Sequence, residues 1–214
     1  MKRSYRNYHA QNNRNIIYKH IKLNLDKYII VLTIFIIGIC IGVSIINNLP
    51  DSQSKSIGEY IRNSIDSLKK GNKIQSSDIF KQSITKNVVI VLIIWLLGLT
   101  VFGNLLLYVI VLVLGISFGY TISSLMLCFT FIQGVLFFVS SMLLQNIITI
   151  PAIIFLIVQG LKIHIELVKE QCNIKHLMVK YSIYSLTTLL ILFIATIIET
   201  YVSTNFINLI SKYL

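Results

Sequence analysis

NVVIVLIIWLLGLTVFGNLLLYVIVLVLGISFGYTISSLMLCFTFIQGVLFFVSSMLLQNIITIPAIIFLIVQGL, residues 87–161, runs for 75 positions without one Asp, Glu, Lys or Arg. A single helix of that length would reach ~110 Å, whereas the hydrocarbon core of a bilayer is only ~30 Å thick. The segment must therefore fold back on itself within a membrane two or three times. A soluble domain would interrupt so long an apolar run with charged surface positions every few residues. Composition agrees: 55% of the chain is hydrophobic, 13% is charged and the mean hydropathy is +0.78. The fold class that follows is an all-α, polytopic integral membrane protein.

The formal charge of +11 raises the question of nucleic acid, and the distribution of the charges answers it. Lys and Arg gather in residues 2–27, 55–86 and 162–180, the segments between apolar runs. In those places basic residues set topology and meet lipid head groups, so the expected partner is the bilayer and not nucleic acid. Cys40, Cys128 and Cys172 are odd in number and separated by apolar spans or charged loops, which implies no disulfide framework.

Outward from the uncharged stretch, the chain divides by charge. Residues 1–27 form a basic tail with seven Lys and Arg against a lone Asp26, which predicts a cytoplasmic N-terminus. Residues 28–46 are a first uncharged span, where Gly38 and Gly42 make a GxxxG pair that permits close approach of another helix. Residues 47–86 are an extracytoplasmic segment opened by Leu49-Pro50-Asp51. Within it Ile57, Ile61, Ile65 and Leu68 recur on one stripe of an amphipathic helix, a surface for a partner or for lipid. A second helical stripe, Phe80, Ile84 and Val88, leads from there into the next span.

Inside residues 87–161, Gly98 and Gly103-Asn104 separate a span ending near Phe102 from one at 105–127. The latter carries a small-residue face of Gly115, Gly119 and Ser123. Residues 128–161 are long for one crossing and short for two, and Gln145, Asn146 and Pro151 lie near their middle. Amides and a proline there predict a broken helix or a re-entrant hairpin with its backbone covered by protein. A basic cytoplasmic loop follows at 162–182, then a last span at 183–203 and a short tail, 204–214. About five transmembrane helices result, with the C-terminus outside. Glu199 is the only acidic or basic side chain within a span, and a buried Glu199 would be protonated or bonded to amides such as Gln145, Asn146 or Asn104.

Several motifs in order resemble the stage II sporulation protein M family. They are Leu96-Leu97-Gly98-Leu99-Thr100-x-x-Gly103, Leu114-Gly115-x-x-x-Gly119, Gly134, Gln145-Asn146 with Ile150-Pro151, and Ile198-Glu199-x-Tyr201-Val202. Asn104, Leu144 and Thr204 stand where the family pattern carries prolines. The resemblance implies a multi-pass cell-membrane protein of endospore-forming bacteria at the sporulation septum. It also implies a scaffold that holds two cell-wall hydrolases, stage II sporulation proteins D and P, for the peptidoglycan degradation that accompanies engulfment of the forespore. It brings no catalytic residue, no metal and no cofactor.

The residues themselves contain no GxSxG, no HExxH and no Walker loop. Ser140, Ser141 and His164 have no partner in sequence that would activate a nucleophile, and His164 and Glu166, two apart, point to different helix faces. The expectation is therefore a non-enzyme. The competing class is a subunit of a transporter or flippase, which would use the broken helix and the intramembrane Glu199.

Overall fold

A computed structural model describes residues 22, 24–69, 76–100, 102–128, 134, 138, 144–168, 174–198 and 200. They form six helices: α1 (Leu25–Asn47), α2 (Asp51–Lys69), α3 (Ser76–Gly98), α4 (Gly103–Cys128), α5 (Leu144–Val168) and α6 (Ile174–Ile198), with no strand among the described residues. Five of them, all except α2, are long and apolar enough to cross a membrane. The shortest of these stretches, Phe80–Gly98, has 19 residues and so reaches ~28 Å, enough for the hydrocarbon core.

The helix ends follow from local chemistry. Asn48 closes α1, its backbone N–H and its side-chain amide both donating to the Ser44 carbonyl, at 3.1 and 2.8 Å. Pro50 then disfavours helix at Leu49 and opens α2, its carbonyl accepting from the amides of Gln53 and Ser54. Between α3 and α4 the amides of Leu99 and Thr100 turn back onto the carbonyls of Leu96 and Leu97, and Gly103 N–H donates to the Thr100 carbonyl. A Cβ on Gly103 would meet the Leu97 carbonyl carbon at 2.6 Å and the Thr100 hydroxyl at 2.9 Å, so only glycine fits this reversal.

α5 is the hub. Of its spanning stretch 61% is buried, against 17–33% for the other four, so the other spanning helices surround it. Leu156, Ile157 and Val158 are fully covered, and Gln159 almost so. The outer helices present Ile36, Leu92, Leu105, Val113, Leu186 and Ile194 outward, as lipid-facing surfaces require. Lipid chains are as apolar as these side chains, so close backbone packing and buried hydrogen bonds must hold the helices together.

Contacts along the helices give their directions. Gly38 meets Gly115, Gly42 meets Tyr120, and Ser123 donates to Asn47, so residue numbers rise together and α1 and α4 are parallel. Asn87 meets Thr196 while Trp95 meets Ser182, so α3 and α6 are antiparallel. α5 ends beside the α3–α4 reversal, where His164 contacts the Thr100 carbonyl, and its first residues lie with Thr121 near the end of α4. The end of α4 and the start of α5 therefore lie at the same end of the bundle.

Three boundaries differ from those expected of the sequence. α5 is continuous through Gln145, Asn146 and Pro151, so these residues do not mark a break. The amides occupy the first turn, where no ladder is interrupted, and Pro151 deprives only the carbonyl of exposed Ile147 of its helical donor. A hairpin elsewhere in 128–143 falls largely outside the described residues. The basic loop is shorter than 162–182: Lys162 and Glu166 extend α5, paired at 3.8 Å, and Lys175 and Lys180 belong to α6. The last helix accordingly starts at Ile174 and not near residue 183, because long lysine stems let a helix continue past its apolar run. The second span, expected to end near Phe102, gives way at Gly98, and Phe102 lies exposed in the reversal.

Candidate functional site

Two glycine pairs lock α1 to α4. A Cβ on Gly38 would lie 3.0 Å from the Gly115 Cα, and one on Gly115 would lie 3.1 Å from the Gly38 Cα. A Cβ on Gly42 would come within 2.7 Å of the Tyr120 amide, and one on Gly119 within 2.9 Å of the Ile39 Cα. Every one of these neighbours is backbone and cannot rotate away. The seam closes where Ser123 Oγ donates to Asn47 Oδ1 at 3.4 Å. Phe35 and Phe118 flank it with ring centroids 6.1 Å apart.

A second junction joins α3, α5 and α6 through Tyr181, which is fully buried. Its ring occupies the space that a Cβ on Gly98 would need, and its hydroxyl would lie 2.8 Å from a Cβ on Gly160. The hydroxyl donates to the Ile94 carbonyl at 2.9 Å. Trp95 Nε1 donates to Ser182 Oγ at 3.1 Å, and Asn87 Nδ2 donates to Thr196 Oγ1 at 3.0 Å. Sequence reasoning missed Asn87, Trp95, Tyr181 and Thr196. The available signal was on α6, where Ser185, Thr188, Ala195 and Thr196 form a small, polar stripe at helical spacing, and all four are buried.

The polar residues singled out in the sequence do not form one site. Gln145 and Asn146 line a cavity of about 180 Å³ between α1, α3, α4 and α5, together with Lys86, Asn87, Thr121 and Thr149. Deeper in the bundle the same cavity is walled by Ile90, Val111, Leu114, Ile153 and Ile157. Asn104 sits 13 residues before Ser117, which also lines the cavity, and so lies ~20 Å further along α4 at the other end of the bundle. Its Oδ1 is buried with no partner among the described residues. Pro151 is exposed. Glu199 lies outside the described residues, as do the side chains of Ile65 and Leu68. Ile57 and Ile61 are half-buried on α2, which packs beside Leu127 near the end of α4.

His164 Nδ1 lies 3.2 Å from the Thr100 carbonyl. A carbonyl only accepts, so this nitrogen carries the proton, and the side chain braces the α3–α4 reversal.

The family model described as Stage II sporulation protein M matches residues 31–204, from the first turns of α1 past the end of α6. The chain belongs to the stage II sporulation protein M family. It is thus a multi-pass membrane protein of a sporulation family, and the matched residues include the glycine seam, the Tyr181 junction and the cavity. Neither a search of curated proteins nor one of solved structures finds a match.

Proposed function

We propose that this protein is a membrane scaffold of the peptidoglycan-degrading machinery at the sporulation septum. In this reading it holds cell-wall hydrolases, stage II sporulation proteins D and P, in place for engulfment and catalyses nothing itself. The observation that carries the reading is family membership over the whole membrane bundle. The build of the bundle supports it: glycine seams and buried hydrogen bonds make a rigid body, and α2 stands outside the spans while packing on α4. With the basic N-terminal tail in the cytoplasm, α2 lies on the side where peptidoglycan is degraded. A carrier would draw its site from a helix broken at mid-membrane, and α5 is continuous through Gln145–Pro151.

The test is a pull-down from detergent-solubilised sporulating cells. The wild-type protein is expected to retain one or both wall hydrolases, and Ile61→Asp with Ile65→Asp to weaken that retention while the bundle's melting temperature stays within a degree or two. The purified protein alone should release no muropeptides from sacculi and move no solute into liposomes. Muropeptide release by the lone protein would make it an enzyme, and solute flux that depends on Glu199 would make it a carrier.

A further inference from the structure

We propose that the cavity between α1, α3, α4 and α5 is a binding site for one membrane lipid with an anionic phosphodiester head group. The cavity is graded along the bundle axis. Its polar residues, Lys86, Gln145 and Thr149 among them, lie toward the end that carries Asn47, and isoleucines, leucine and valine wall the rest. Gln145 and Ile157 both line it and are 12 residues apart on α5, a rise of ~18 Å, or about half the hydrocarbon core. Water suits only the polar end, because an apolar cavity offers it no hydrogen bonds. A hydrocarbon suits only the deep end. An amphiphile satisfies both, and 180 Å³ slightly exceeds the roughly 150 Å³ that accommodates benzene. That is room for the glycerophosphate junction and one chain segment, with the remaining chain running out among the neighbouring lipids.

Thr149 supplies the independent sign that something belongs there. It is about nine-tenths buried, lines the cavity, and its hydroxyl has no hydrogen-bond partner among the described residues. Several other helical threonines of this chain give theirs to the carbonyl four residues back, as Thr121 does to Ser117, Thr188 to Tyr184 and Thr196 to Leu192. Thr149 forgoes that bond, and a buried hydroxyl without one is costly. Charge selects the head group. Lys86 is the one charged residue among those lining the cavity, it makes no ion pair among the described residues, and α5 begins beside it with its positive dipole end. Lys86 is six residues into the Phe80–Gly98 stretch, ~9 Å from its outer end, a depth from which a lysine stem reaches the phosphate level.

The experiment titrates purified protein in dodecylmaltoside with dioleoyl-phosphatidylglycerol, with dioleoyl-phosphatidylcholine and with inorganic phosphate, reading thermal unfolding and the number of lipids retained in native mass spectrometry. Phosphatidylglycerol should stabilise the protein saturably, with one lipid retained, and the other two should not. Lys86→Gln should weaken phosphatidylglycerol binding about tenfold, and Thr149→Val, which keeps the side chain's shape, about threefold. Without lipid, Thr149→Val should melt no lower than wild type, since it removes a hydroxyl that bonds nothing among the described residues. Equal binding of phosphatidylcholine, or phosphatidylglycerol binding indifferent to both substitutions, would overturn the proposal. Stabilisation by inorganic phosphate alone would also overturn it, by making the site one for a soluble anion.

Discussion

Tyr181 shows what one residue does where lipid replaces water. Its ring fills the gap that Gly98 and Gly160 leave open, and its hydroxyl satisfies itself on the Ile94 carbonyl. Packing and polarity therefore separate by substitution. Tyr181→Phe keeps the ring and loses the hydrogen bond, an expected cost of about 1 kcal/mol. Tyr181→Ala leaves a void among three helices that glycines cannot refill, an expected cost of about 3–5 kcal/mol. Reversible unfolding in mixed micelles measures both. Equal losses would mean that the hydroxyl, not the ring, holds the junction. None of this was legible from position 181 itself, because a tyrosine next to Lys180 reads as an aromatic at the membrane edge. Only the glycine on each side gives it a place inside, and those lie 83 and 21 residues earlier in the chain.

At the scale of elements, the small-residue faces of α1 and α4 were legible because their spacing is local: Gly38/Gly42 and Gly115/Gly119 each recur at i, i+4. Which helix covers which face was not, since nothing in either motif names its partner. Their seam predicts asymmetric tolerance. Gly42→Ala should cost on the order of 1–3 kcal/mol, because its methyl would press on the backbone of Ile116 and Tyr120, whose atoms cannot swing aside. Ala replacing Cys40, an exposed side chain on the same helix, should change little. Melting temperatures of the two single variants decide it, and parity between them would show that α1 and α4 do not pack through these glycines. α5 was misread at its start because a proline and two amides are strong break signals in water. Here the proline sits in the second and third turns, beside a carbonyl at the exposed surface, and the helix continues into the best-covered span of the bundle. Burial among four neighbours, which no local pattern encodes, outweighed the one lost hydrogen bond.

For the whole molecule, the uncharged run of 75 residues was enough to give a helical membrane bundle, since no other arrangement satisfies so much apolar chain. About five crossings were expected of the sequence as well, but whether residues 128–161 cross once or twice needed the structure, because they fit neither one span nor two by length. With α4 and α5 meeting at the Asn47 end and α5 closing on the Thr100 end, the described helices account for five crossings. An odd number puts the two termini on opposite sides. By the positive-inside rule the basic tail, with seven Lys and Arg within residues 1–27, is expected to hold the N-terminus in the cytoplasm. Lys162, Lys175 and Lys180, at the end of α5 and in the first turns of α6, fall at the same end of the bundle as the start of α1, so two basic segments agree. The segment 47–86 opposes them with seven Lys and Arg of its own, but four acids accompany these, and Lys81 and Lys86 already belong to α3. A reporter after Leu214 should therefore behave as exported: alkaline phosphatase active, β-galactosidase inactive, with the reverse pattern for a fusion within residues 169–173. Active β-galactosidase after Leu214 would require either an inverted bundle or a further crossing beyond α6. Inversion would place α2 and the mouth of the cavity in the cytoplasm and remove the wall-facing surface on which the scaffold reading depends, whereas a further crossing would leave α2 outside. The fusion within residues 169–173 separates the two, with β-galactosidase inactive there in the first case and active in the second.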